Sequence, residues 1–154
     1  MRVRVIAVGT RMPAWVRDAY DDYLTRLRRG LAVTLTQIEP GERRRGVRQA
    51  IALEGERLLQ ALRPTDHLIA LDERGTQFST RELAEWLKGR LRAGDDLAFA
   101  IGGPDGLTRE VLARSQLRLS LSRLTLPHAL VRVLLAEQLY RAHCILVNHP
   151  YHRD

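Results

Sequence analysis

The last residues of the chain, Asn148-His149-Pro150-Tyr151-His152-Arg153, follow an apolar run that ends at Val147. They bring hydrogen-bonding, titrating and stacking side chains together where a terminus ordinarily carries whatever solubility tolerates. Either this is a loose polar tail, or it is a compact set of groups able to move a proton and hold a polar ligand. Two other segments have chemical character. The stretch "GGPDG" at 102–106 allows close backbone approach, with Pro104 stiffening the turn. It lacks the Gly-Lys-Ser/Thr ending of a phosphate loop and the spacing of a dinucleotide fingerprint. It therefore suits a neutral, adenosine-like ligand gripped by main-chain groups, or an ordinary tight turn. The helix-forming segment after Pro127 carries few polar residues, and these are ordered: His128 and Arg132 four apart, then Glu137 and Arg141 four apart on nearly the opposite face.

The elements that must position these groups alternate between strand and helix periods. Strands are expected at 3–8, 31–38, 67–75, 96–103 and 117–122. Helices are expected after Pro13, around Val47–Leu62 with Pro64 as the stop, after the Ser79/Glu82 capping box, after Thr108, and from Pro127 to Cys144 or beyond. Such alternation predicts an α/β fold, a parallel sheet with helices on both faces. Ligands of open parallel sheets bind beyond the carboxyl ends of the strands. "LDERG" at 71–75, "IGGPDG" at 101–106 and "LSLSRLTLPH" at 119–128 each follow a strand, and all three are expected at one rim.

The 154 residues suffice for one core, so a single domain spanning 1–154 is expected. The single cysteine, Cys144, excludes an internal disulfide and a cysteine-rich zinc site. The first ten residues have no signal-peptide pattern, and no run approaches the length of a membrane span, so a cytoplasmic protein without membrane attachment is expected. The net charge of +7 favours a polyanionic partner. Lys88 is the only lysine, so the arginine total partly reflects coding bias; the clusters "RLRRG" at 26–30 and "GERRRGVR" at 41–48 carry more weight. The last helix is apolar almost all round, which requires burial on more than one side and points to a homodimer.

The segments "VGTRMPAWV", "LDERG", "IGGPDGL", "LSLSRLTLPHALVRVLLAEQLY" and "NHPYHR" together resemble the ribosomal large-subunit RNA methyltransferase H family of the SPOUT superfamily, over essentially the whole chain. The resemblance implies a C-terminal trefoil knot, one of the rare exceptions to unknotted topology. It implies transfer of a methyl group from S-adenosylmethionine to N3 of a pseudouridine in 23S rRNA, on the large ribosomal subunit or the assembled ribosome. Cofactor-binding positions carry over to Leu71, Gly102, Leu121, Ser122, Arg123, Leu124, Thr125 and Leu126, with Arg123 expected to act through its backbone only. Tyr151 is expected to stack on an RNA base, Arg153 to hold phosphate and His152 to accept or relay a proton, while Asn148 and His149 order the turn. Arg132, Glu137 and Arg141 are expected to position the nucleotide or the tail. The arginines at 43–45 stand where family members often have lysines.

Two other readings use the same residues. His143, His149 and His152 with Asp154 form a candidate metal-hydrolase set, weakened by the missing helical H-x-x-x-H spacing and by the absence of a second carboxylate cluster. A non-catalytic ribosome-binding module would explain the charge but not the glycine-containing rim. No metal is expected.

Overall fold

The computed structural model describes residues 1–153, and for His152 the backbone only. Five strands, β1 (Val3–Val8), β2 (Val33–Ile38), β3 (Asp66–Gln77), β4 (Asp96–Ile101) and β5 (Leu117–Ser120), form one wholly parallel sheet in the order β2-β1-β4-β3-β5. The helices are α1 (Ala14–Leu27), α2 (Val47–Gln60), α3 (Thr80–Ala93), α4 (Arg109–Arg114) and α5 (His128–Leu146). Two short 3₁₀ turns cover Arg43–Arg45 and Pro150–His152.

Alternation along the central strands divides the interior in two. Val3, Val5, Ala7, Leu97, Phe99 and Ile101 face a core closed by α1, α3 and α5, whereas Ile6, Val8, Ala98 and Ala100 face a smaller one closed by Leu58 of α2 and Val111 of α4. Helices therefore cover both faces, as the sequence predicts. The Ser79/Glu82 capping box starts α3 with both reciprocal bonds present, and Gly94 ends it in the left-handed conformation.

Strand β4 ends at Ile101 rather than at residue 103 and α2 at Gln60 rather than at Leu62, and three further boundaries differ for a local reason. The ladder of β2 starts at Val33 rather than at residue 31, because Leu31 still belongs to the turn closing α1, its N–H bonded to the Leu27 carbonyl at 2.8 Å. Strand β5 stops at Ser120, where the Ser120 hydroxyl donates to the Ser122 carbonyl at 2.9 Å and turns the chain out of the ladder. Strand β3 does not end in a turn at residue 75. It arches away between Leu71 and Thr76, both of which register with Leu119, and then rejoins β5. Gly75 makes the return possible, since a Cβ there would lie 2.6 Å from the Arg118 backbone.

Candidate functional site

The arch of β3 forms one wall of a cavity of about 620 Å³ at the carboxyl ends of β3, β4 and β5. Its other walls are the 102–107 loop, residues 118–122, the 124–126 segment and the start of α5 at His128 and Val131. Gly102 approaches so closely that a Cβ would lie 2.7 Å from the Gly106 backbone, and Gly106 itself has φ +80°. Gly103 and Gly106 pair across the Pro104-Asp105 turn, with the Gly106 N–H bonded to the Gly103 carbonyl at 3.1 Å. The Ser122 hydroxyl accepts from the Leu124 N–H at 2.9 Å and shapes the opposite lip. The volume and the mixed polar and apolar, glycine-containing lining suit a nucleoside-sized ligand.

All three rim segments meet at this cavity. Leu71, Gly102, Leu121, Ser122, Leu124, Thr125 and Leu126 line it, while Arg123 is exposed and does not. His128 and Asp72, Glu73 and Arg74 also line it. His128 ends the quoted "LTLPH" stretch, yet its role could not be read without seeing that the first turn of α5 borders the cavity. Burial lowers its imidazole pKa from the ordinary value, with Arg132 adding to the effect, so the ring is neutral near neutral pH.

The remaining candidates lie elsewhere. The Arg132 side chain is buried, donating to the Gly9 and Val8 carbonyls at 2.8 and 3.2 Å and to Gln37 Oε1 at 3.0 Å. It pins the carboxyl ends of β1 and β2 to α5. Glu137, Arg141 and Tyr151 form a separate cluster along the second half of α5. Arg141 Nε and Nη2 reach Glu137 Oε1 at 2.8 and 2.7 Å, and the Tyr151 hydroxyl donates to the same oxygen at 3.1 Å. The Tyr151 ring lies 4.5 Å from that of Tyr140, and the Arg141 guanidinium carbon is 4.9 Å from its centroid. Burial, reinforced by Tyr23 and Glu137, raises the Tyr151 pKa well above the ordinary phenol value, so its hydroxyl is a hydrogen-bond donor.

A C-terminal helix cap holds this cluster in place. Asn148 adopts φ 56°, its N–H bonds the Ile145 carbonyl at 3.3 Å, and the His149 N–H bonds the Cys144 carbonyl at 2.8 Å, which is the Schellman pattern. His149 Nδ1 then accepts from the Tyr151 N–H at 3.2 Å and caps the terminal 3₁₀ turn. Arg153 is exposed, and its backbone N–H closes that turn on the Pro150 carbonyl. The His152 imidazole and Asp154 lie outside the described residues. Among the described residues no group of three or more His, Cys, Asp or Glu could hold a metal ion, and no helix is long and apolar enough to cross a membrane.

Comparison with known proteins accords with this geometry. The family of predicted SPOUT methyltransferases matches residues 1–152. A ribosomal RNA large subunit methyltransferase H from Thiobacillus denitrificans is 52% identical over 156 residues, covering 100% of both chains. Among solved structures, a probable methyltransferase from Bordetella pertussis superposes with a TM-score of 0.60 at 22% identity, over 92% of this chain and 93% of that one. A Legionella pneumophila structure with bound cofactor SAM gives a TM-score of 0.50 at 11% identity, over 93% of this chain and 66% of that one. With its parallel sheet, its rim cavity and full-length identity of about half to such relatives, the chain belongs to the SPOUT methyltransferases and, within them, to the ribosomal RNA large subunit methyltransferase H family.

Proposed function

We propose that the protein uses S-adenosylmethionine to methylate N3 of a pseudouridine in 23S rRNA, in the cytoplasm, on the large subunit or the assembled ribosome. The observation that carries the reading is the convergence of the 71–74, 102–107 and 118–126 segments on one cavity at the strand carboxyl ends. The cavity fits the cofactor: Leu71, Gly102 and the Leu121–Leu126 segment would hold adenosine and methionine largely through main-chain groups. When bound, S-adenosylmethionine supplies an electrophilic sulfonium methyl. A C-terminal trefoil knot belongs to the same proposal. It is supported by the path of α5, which leaves edge strand β5 and crosses back to pack on α3 and α1.

The chain's own groups must then orient an RNA base and remove the imide proton at N3. Arg153 and the exposed arginines hold phosphate, and the Tyr151–Arg141–Glu137 cluster orients the tail. Two imidazoles are candidates to accept the proton: His152 of the tail and His128 at the cavity.

Within one chain the two halves stand apart. The cavity borders the first turn of α5, at His128 and Val131, whereas the tail folds back only as far as Glu137, about 14 Å farther along the helix. A homodimer resolves this. Leu130, Val133 and Leu134 are only half-buried and form a stripe on the same face as Glu137 and Arg141. A second copy packed antiparallel on that stripe would bury it and carry its own tail toward this chain's cavity. The test is a calorimetric titration with S-adenosylmethionine beside transfer of labelled methyl to 23S rRNA in ribosomal particles. Binding without transfer would leave the cofactor site and remove the substrate.

A further inference from the structure

The three arginines at 43–45 read from sequence as one polyanion contact, but the structure separates them. Arg44 is exposed, and the Arg45 guanidinium, 83% exposed, has only a 3.5 Å pairing with Glu42. Arg43 instead turns inward. Its Nη1 donates to the Glu54 carboxylate and, at 3.1 Å, to the Gly41 carbonyl, while its Nη2 donates to Asp105 Oδ2 at 3.1 Å. Glu54 is only 2% exposed, on α2, and also accepts from the Gly41 N–H at 3.1 Å. The ion pair lies directly under the Gly102–Gly106 turn. A Cβ on Gly103 would stand 3.5 Å from Glu54 Oε2, 3.7 Å from Arg43 Nη2 and 3.2 Å from Val8 Cγ1.

Asp105 is the residue that makes this arrangement consequential. Three of the five residues of the turn are glycines, and a glycine-rich loop loses the most freedom on being fixed. Asp105 is the only side chain in it able to make a charge-assisted bond, and the guanidinium that donates to it is itself held by a buried carboxylate. A buried carboxylate cannot release its partner cheaply, so Glu54 fixes Arg43 and Arg43 fixes the turn.

We propose that Arg43 is a positioning residue for the cofactor rather than an RNA contact: through Asp105 it sets the Gly102–Gly106 turn in the conformation that receives S-adenosylmethionine. The inference rests on the cofactor reading above. It assigns RNA contact in this segment to Arg44 and Arg45 alone.

The experiment is calorimetric titration of the full chain and its variants with S-adenosylmethionine. Asp105→Asn keeps the shape of the turn and removes the charge; it is expected to weaken binding about tenfold, the worth of one charge-assisted bond. Arg43→Gln should weaken it at least as much, and the double variant no more than Arg43→Gln alone, since both act through one contact. In turnover the loss should fall on KM for the cofactor rather than on the rate at saturating cofactor. Because Arg43→Gln strands a buried carboxylate and could unfold the protein, Asp105→Asn on the exposed turn decides the matter. Cofactor affinity unchanged in Asp105→Asn overturns the proposal, as does an Arg43→Gln protein that keeps its cofactor affinity but loses affinity for an rRNA fragment. Failure of the unaltered protein to bind S-adenosylmethionine would overturn the cofactor reading instead.

Discussion

The phenolic hydroxyl of Tyr151 donates to Glu137 Oε1 at 3.1 Å, across fourteen residues of sequence and at the same oxygen that receives Arg141. One carboxylate thus ties the tail to α5. Gln138 Nε2 donates to its other oxygen at 2.6 Å, and Thr80 of α3 donates to Gln138 Oε1 at 2.7 Å, so the tail is connected to the body of the domain by a continuous hydrogen-bonded path. The Tyr151 ring already has neighbours within its own chain, Tyr140 and Arg141, so its first task is to orient the residues that follow it.

Tyr151→Phe should therefore leave the fold and cofactor affinity intact and slow methyl transfer roughly tenfold through one lost hydrogen bond. Tyr151→Ala, which also removes the tilted ring contact with Tyr140, should slow it roughly a hundredfold through lost positioning. Single-turnover transfer of labelled methyl to ribosomal RNA measures both. Equal rates for Tyr151→Ala and the unaltered protein would show that the tail conformation is irrelevant to chemistry.

Gly102→Val would place a branched side chain where a single Cβ already lies 2.7 Å from the Gly106 backbone. The turn must move, and S-adenosylmethionine affinity should fall at least about tenfold while affinity for RNA is retained. Calorimetry on the cofactor and filter binding on an rRNA fragment separate the two effects. Wild-type cofactor affinity would place the binding site elsewhere.

How legible these features were in the sequence depended on how local their causes are. Strand β1 and the capped start of α3 were readable because alternation and a Ser-x-x-Glu box act within a few residues. The convergence of three rim loops followed from strand polarity in a parallel sheet. The order of the strands did not, because parallel pairing joins segments whose contacts are set by distant packing. Arg132 was read as a polar exception on an apolar helix. Its satisfaction by the Val8 and Gly9 carbonyls, more than 120 residues away in sequence, has no local signal. The inward turn of Arg43 was hidden for the same reason, since its partners Glu54 and Asp105 lie on a helix and a loop that only the fold brings together.

Acid should weaken the fold before its carboxylates titrate. Burial, as the largest cause, lowers the pKa values of His67, His128 and His143 from the ordinary value near 6.5. The unfolded chain then binds more protons than the folded one once pH falls to that value. The stability these residues contribute is complete above it and is lost as pH falls through their lower folded values. The urea midpoint should therefore drop between about pH 7.5 and about pH 5.5, with the slope of the transition unchanged. A midpoint constant over that interval would contradict the neutral state assigned to these rings.

The separation of cavity and tail along α5 makes a prediction about two copies that neither alone can satisfy. Deleting residues 149–154 should spare the fold and cofactor binding, because these residues follow the last turn of α5 and Tyr151 only packs against the main core from its edge, yet abolish transfer. Gly102→Val should abolish transfer from the other side, by closing the pocket while leaving the tail. If each site takes its pocket from one copy and its tail from the other, unfolding and refolding the two inactive proteins together should restore activity. The mixed dimer then carries one intact pocket facing one intact tail, and random pairing returns about a quarter of the wild-type rate. Leu134→Glu in both proteins should prevent the recovery by burying an unpaired carboxylate in the stripe. If the mixture stays inactive while sedimentation shows that mixed dimers have formed, tail and pocket must act within one chain.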